Sequence, residues 1–105
     1  MKELTQLAAE MRQTVDGTNR RYAAKSLMGL FHLGLQLEIG NTGKRVYRLE
    51  LKRHNYDIDP GDIQLVAEAF NVPAGVEWAK RTDKTVRPVL FVAWCTWHEQ
   101  EKVTA

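Results

Sequence analysis

The chain has 105 residues, 44% hydrophobic and 27% charged, with a formal net charge of +2 and one cysteine. That is enough for one domain with its own core, and too apolar and too balanced in charge for a disordered polyelectrolyte. Cys95 has no partner for an internal disulfide, and no apolar run approaches the roughly 20 residues of a membrane span. The start, Met1-Lys2-Glu3-Leu4, lacks the basic and apolar regions of a secretion signal, so the expected setting is cytoplasmic, with no membrane contact.

In chain order, Leu4, Leu7, Ala8, Met11 and Val15 recur with helical spacing and predict an amphipathic helix that Gly17 can end. The next stretch, residues 18–22, reads as a basic loop or the start of a short helix. From Leu27 the period changes to two. Leu27, Phe31, Leu33, Leu35, Leu37 and Ile39 hold the odd positions, and His32, Gly34, Gln36 and Glu38 the even ones. Such alternation predicts a strand with one buried face.

A second alternating run places Tyr47, Leu49 and Leu51 on odd positions, after Asn41-Thr42-Gly43. Opposed residues in an antiparallel hairpin share a face, so odd must pair with odd. A three-residue loop closed by Gly40 and Lys44, with Gly43 left-handed, meets that condition. The register then sets Leu37 against Tyr47, Leu35 against Leu49 and Leu33 against Leu51. The other face pairs Glu38 with Val46, Gln36 with Arg48 and His32 with Lys52.

Asp59-Pro60-Gly61-Asp62 is a helix start: a capping carboxylate, then proline in the first turn, then a second acid. That helix should run through Ile63, Val66 and Phe70 and stop at Asn71. Residues 76–78 read as a strand, 82–84 as a turn, and 86–97 as a last strand apolar on both parities. Pro88 belongs near its start. The expected fold is α+β: a four-stranded, mostly antiparallel sheet of two hairpins with two main helices, in the order α-β-β-α-β-β. One domain should cover residues 1–98, with a polar tail at 99–105.

Charge is sorted into blocks. Residues 18–53 sum to +6, residues 54–79 to −5, and residues 80–87 to +3. Arg20, Arg21, Tyr22 and Lys25 form one basic cluster with an aromatic inside it. Lys44, Arg45, Arg48, Lys52 and Arg53 decorate the hairpin. Cations for phosphates and a ring for an unstacked base are the chemistry of nucleic-acid contact, and Tyr22 is a better stacking candidate than Tyr47, which the register sends to the core. The contrary consideration is that Lys44, Arg48 and Lys52 share a face with Glu38 and Glu50, as on an ordinary solvated sheet.

Other chemistries have less support. Apolar spacing over residues 63–81 imitates a helix-turn-helix, but the turn is short and Asn71 stands where glycine is usual. His32, His54, His98 and Cys95 never reach compact ligand spacing, so no metal or cofactor is expected. No nucleophile has a visible base, and an enzyme is not expected. Trp78, Trp94 and Trp97 read first as core. Two sheet faces need two covers and the chain offers only two main helices, one of them partly polar, which points to a homodimer. The functional expectation is a small non-enzymatic nucleic-acid-associated protein, binding phosphates through a basic N-terminal loop and the hairpin. The alternative is a protein-interaction module that docks on an acidic protein or on a second copy through its segregated charge.

Overall fold

A computed structural model of the chain describes residues 4–14, 20–26, 29–39 and 42–98. Helix α1 spans Leu4–Thr14 and α2 spans Pro60–Ala69. Strands β1 (Arg20–Ser26), β2 (Gly29–Ile39), β3 (Arg45–His54), β4 (Ala79–Asp83) and β5 (Leu90–His98) form one sheet in the order β1-β2-β3-β5-β4. Every neighbouring pair is antiparallel.

The α+β class, the α-β-β-α-β-β succession, the hairpins β2–β3 and β4–β5 and both helices stand as expected. Residues 20–26 add a fifth strand to that plan. They are neither a loop nor a helix, because β2 offers a second ladder edge whose backbone groups need partners. The strand fills it from Arg20↔Leu35 to Ser26↔Gly29. The proposed Gly17 stop, the Gly40–Lys44 closure and the 99–105 tail lie outside the described residues.

Each expected pair of the β2–β3 hairpin is found, from Leu33↔Leu51 to Glu38↔Val46, and Gly43 has φ +79°. The odd residues Leu33, Leu35, Leu37, Leu49 and Leu51 are buried in one cluster with Ala93 and Cys95 of β5. Leu7, Ala8 and Met11 of α1 join it, as do Val66 and Ala69 of α2 and the adjoining Phe70. Both helices therefore cover the odd face of the sheet.

Helix α2 is terminated by local chemistry at both ends. The Asp59 carboxylate accepts from the Gly61 amide at 2.7 Å. At the other end Asn71 turns left-handed (φ +54°), and Val72 and Asn71 donate back to the Ala67 and Glu68 carbonyls. That is the paired capping pattern of a left-handed stop.

The expected strand at 76–78 is displaced to Ala79–Asp83. Gly75 turns the chain at φ +85°, and Val76 and Trp78 then pack against the core. Pairing begins only where the chain reaches the edge of β5, at Ala79↔Trp94. The turn likewise falls later, where Asp83 accepts from the Thr85 amide and hydroxyl at 2.9 and 2.6 Å. Strand β5 starts at Leu90, after Pro88, and lies inside the sheet between β3 and β4. Its interior place accounts for its apolar content on both parities. Among the described residues no helix is long and apolar enough to cross a membrane.

These roles rank two substitutions. Leu49→Ala empties a fully buried position between β2 and β5 and should cost about 2–5 kcal/mol. Asp59→Ala removes one cap and should cost about 1 kcal/mol. Urea unfolding of both variants checks the order; equal losses would contradict the packing described.

Candidate nucleic-acid interface

With both helices on the odd face, the even face is left without a helix among the described residues. Its side chains form transverse rows fixed by pairing. One row runs Gln36–Arg48–Thr96, and the next runs Gly34–Glu50–Trp94–Ala79. The third is His32–Lys52–Val92–Arg81, and beyond it lies His54–Leu90–Asp83.

Glu50 organises the centre. Its carboxylate meets Arg48 Nη2 at 3.2 Å through Oε2, and Lys52 Nζ at 3.1 Å through Oε1. Burial by itself would push the Glu50 carboxyl up, but hydrogen bonds and charges from Lys52 and Arg48 together hold it below its ordinary value. It is ionised at neutral pH and fixes both cations in place. Beside it, Trp94 lies between two guanidiniums: Arg48 is 5.3 Å and Arg81 6.0 Å from the ring centroid. Such contacts contribute about 0.5–1 kcal/mol each at exposed sites, weak enough to be exchanged for a ligand. At the rim, His54 Nδ1 lies 3.3 Å from the Pro88 carbonyl, which can only accept, so that nitrogen is the donor.

The structure divides the basic residues singled out in the sequence. Arg48 and Lys52 stand together on the even face. Lys44 and Arg45 are exposed at the hairpin end. Arg53 has odd parity, is only 6% exposed, and stacks over Tyr56 at 5.3 Å. It belongs to the helix-covered side. Arg20, Arg21, Tyr22 and Lys25 lie on edge strand β1, not in a loop. By register, Arg21 pairs with Gly34 and Lys25 with Leu30, in the even rows, while Arg20 and Tyr22 pair with Leu35 and Leu33 of the odd rows. The Arg21–Gly34 pair is about 17 Å along β2 from the Ile39↔Arg45 pair, so β1 and the hairpin end do not form one compact patch.

Two contributors are absent from the sequence-based site: Arg81 and Trp94. Both had visible signals, one in the 80–87 basic block and the other in the even parity of the last strand. Only the pairing of β5 with both β3 and β4 brings them to Arg48. Trp78 and Trp97 do pack on the core, and Tyr47 stacks on Trp97 with centroids 5.5 Å apart. Trp94 is the exception.

Residues 70–78 after α2 are non-helical and lead into β4, so the region 63–81 is not a helix-turn-helix. Among the described residues no three His, Cys, Asp or Glu side chains group as metal ligands. The acidic segment lies with α2, whose approach Lys80 anchors by donating to the Ile58 carbonyl at 3.0 Å, 3.6 Å from Asp57. On the open face Arg48, Lys52 and Arg81 share their rows with Glu50 and Asp83, while Asp57 and Glu68 are exposed on the helix side together with Lys80. Comparison with protein-family models, curated proteins and solved structures finds no match.

Cys95 is opposite Leu49, 2% exposed, and burial pushes its thiol up to about 12, against a smaller opposing pull from Arg48. The thiolate is therefore absent at pH 8. The native protein should resist iodoacetamide at that pH and label fully only in denaturant; native labelling at the rate of a free thiol would refute the burial.

Proposed function

We propose that this chain is a small non-enzymatic nucleic-acid-associated protein that takes a single strand across the even face of its sheet. The observation that carries this reading is Trp94 held between Arg48 and Arg81, with Lys52 in the adjoining row. A ring flanked by guanidiniums offers stacking to a base and charge to the phosphates on either side. Every base has a π-face, so this mode tolerates sequence. The broad sheet surface suits a strand laid flat better than a duplex. Because Glu50 is shared by two cations, affinity should be modest, with a salt dependence set by the few cations left to meet phosphates.

Fluorescence anisotropy with labelled single- and double-stranded oligonucleotides over a salt series tests this. Trp94→Ala should weaken single-strand binding by about 1–3 kcal/mol, and Arg81→Glu should lower the salt slope by about one unit or less. Lys80→Gln, next in sequence but on the opposite parity, should leave affinity unchanged. No saturable binding at low salt would end the reading.

The charge blocks of the sequence favour a second reading, a protein-interaction module. Asp57 and Glu68 are exposed on the α2 side while Arg48 and Arg81 lie on the sheet side. That polarity would steer docking onto an acidic protein, or head to tail onto a second copy. On this reading the molar mass by light scattering rises with protein concentration at low salt and falls as salt is added. A mass unchanged by either removes charge-driven assembly.

A further inference from the structure

The sheet surface is not flat at Gly34. With no side chain there, the even face drops between its neighbours and opens a cavity of about 340 Å³. His32, Glu50 and Lys52 border it, and His54 and Leu90 close the end towards β5. The volume is at the small end of ligand clefts, about 300–1,000 Å³, with room for a single heteroaromatic ring system.

The chemistry of the walls selects among ligands. Lys52 Nζ lies 3.1 Å from Glu50 Oε1, so the ammonium bordering the cavity is offset by a carboxylate that a phosphate would have to face. The cavity therefore suits a neutral, flat, polar-edged group with Leu90 against its apolar part. The pair still has unused capacity: an ammonium has three protons, and each carboxylate oxygen keeps a second lone pair. It presents one donor beside two acceptors. The Watson–Crick edge of guanine is the complement, a carbonyl oxygen followed by two N–H donors. Adenine satisfies only two of those contacts. Each pyrimidine also satisfies two, and sets one of its own acceptors against the carboxylate.

We infer that the Gly34 cavity is a nucleobase subsite that prefers guanine, with Lys52 donating to the base carbonyl and Glu50 accepting from its two N–H groups. This deepens the strand-binding reading and rests on it for the delivery of the base, since the same face carries Trp94 directly opposite Glu50. Arg48, bonded to one lone pair of Glu50 Oε2, holds the carboxylate in position.

The test is amide-resolved NMR titration of the full chain with GMP, IMP and AMP, beside anisotropy with oligonucleotides that differ at one central base. GMP should shift the amides of Gly34, Glu50 and Lys52 and bind about 5–10-fold more tightly than AMP. IMP lacks the 2-amino donor and should fall towards AMP. Glu50→Gln should bring GMP and AMP together. Gly34→Val should abolish the nucleotide shifts, with its spectral dispersion reporting whether it folds. If both variants unfold, the three-nucleotide series on the unaltered chain decides. Equal binding of the three, or shifts centred elsewhere, overturns the inference. Salt-sensitive oligonucleotide binding without a guanine preference overturns the subsite alone. Guanine-selective shifts at Gly34 without oligonucleotide binding uphold the subsite and remove the strand reading.

Discussion

Cross-strand leucine pairing between β2 and β3 is the constraint from which the rest of this architecture follows. Leu35 opposite Leu49 and Leu33 opposite Leu51 are fully buried, and a slip of one residue would move both rows to the other face. Burying a leucine contributes about 1.5–3 kcal/mol, so a slipped register would lose many times the stability of any single surface contact. The helices are recruited to that face because their own apolar stripes need it. What remains on the other face is not chosen for burial and is free to carry charge.

That freedom explains the organisation around Glu50. A carboxylate between Arg48 and Lys52 contributes modestly to stability, since ion pairs at a protein surface give about 0–1 kcal/mol each. Its larger effect is geometric. Two long, flexible side chains are held at defined places, one beside the Trp94 ring and one beside the Gly34 cavity. Side chains ordered in advance lose less conformational entropy when a ligand arrives. The same carboxylate limits the local positive potential, so the face trades general attraction for orientation.

Placement of the acids completes the picture. They cluster around α2 because a helix start favours carboxylates and a solvated helix face tolerates them. Since α2 packs on the odd face, this local preference places Asp57 and Glu68 on the side away from Arg48 and Arg81. No long-range electrostatic design is needed to produce it, only the capping of one helix and the covering of one side of one sheet.

Much of this was legible from residue order alone, for identifiable reasons. The β2–β3 register follows from parity and a turn, both local, and all six pairs read from the sequence recur. The caps of α2 follow from Asp59, Pro60 and Asn71, whose side chains or backbone preferences act within a few residues. The site was only half legible. Arg48 and Lys52 could be placed, because they ride on the hairpin. Arg53 reads as basic too, but its odd parity assigns it to the covered face, where it is buried. Strand β1 and the late start of β4 depend on which sheet edges lie vacant, and Trp94 meets Arg48 and Arg81 only because β5 lies between β3 and β4. Sequence by itself determined the elements whose stabilising contacts are local or periodic. Tertiary structure decided the strand order, and with it the site, because hydrogen-bonded edges accept any strand and carry no residue-specific code for their partner.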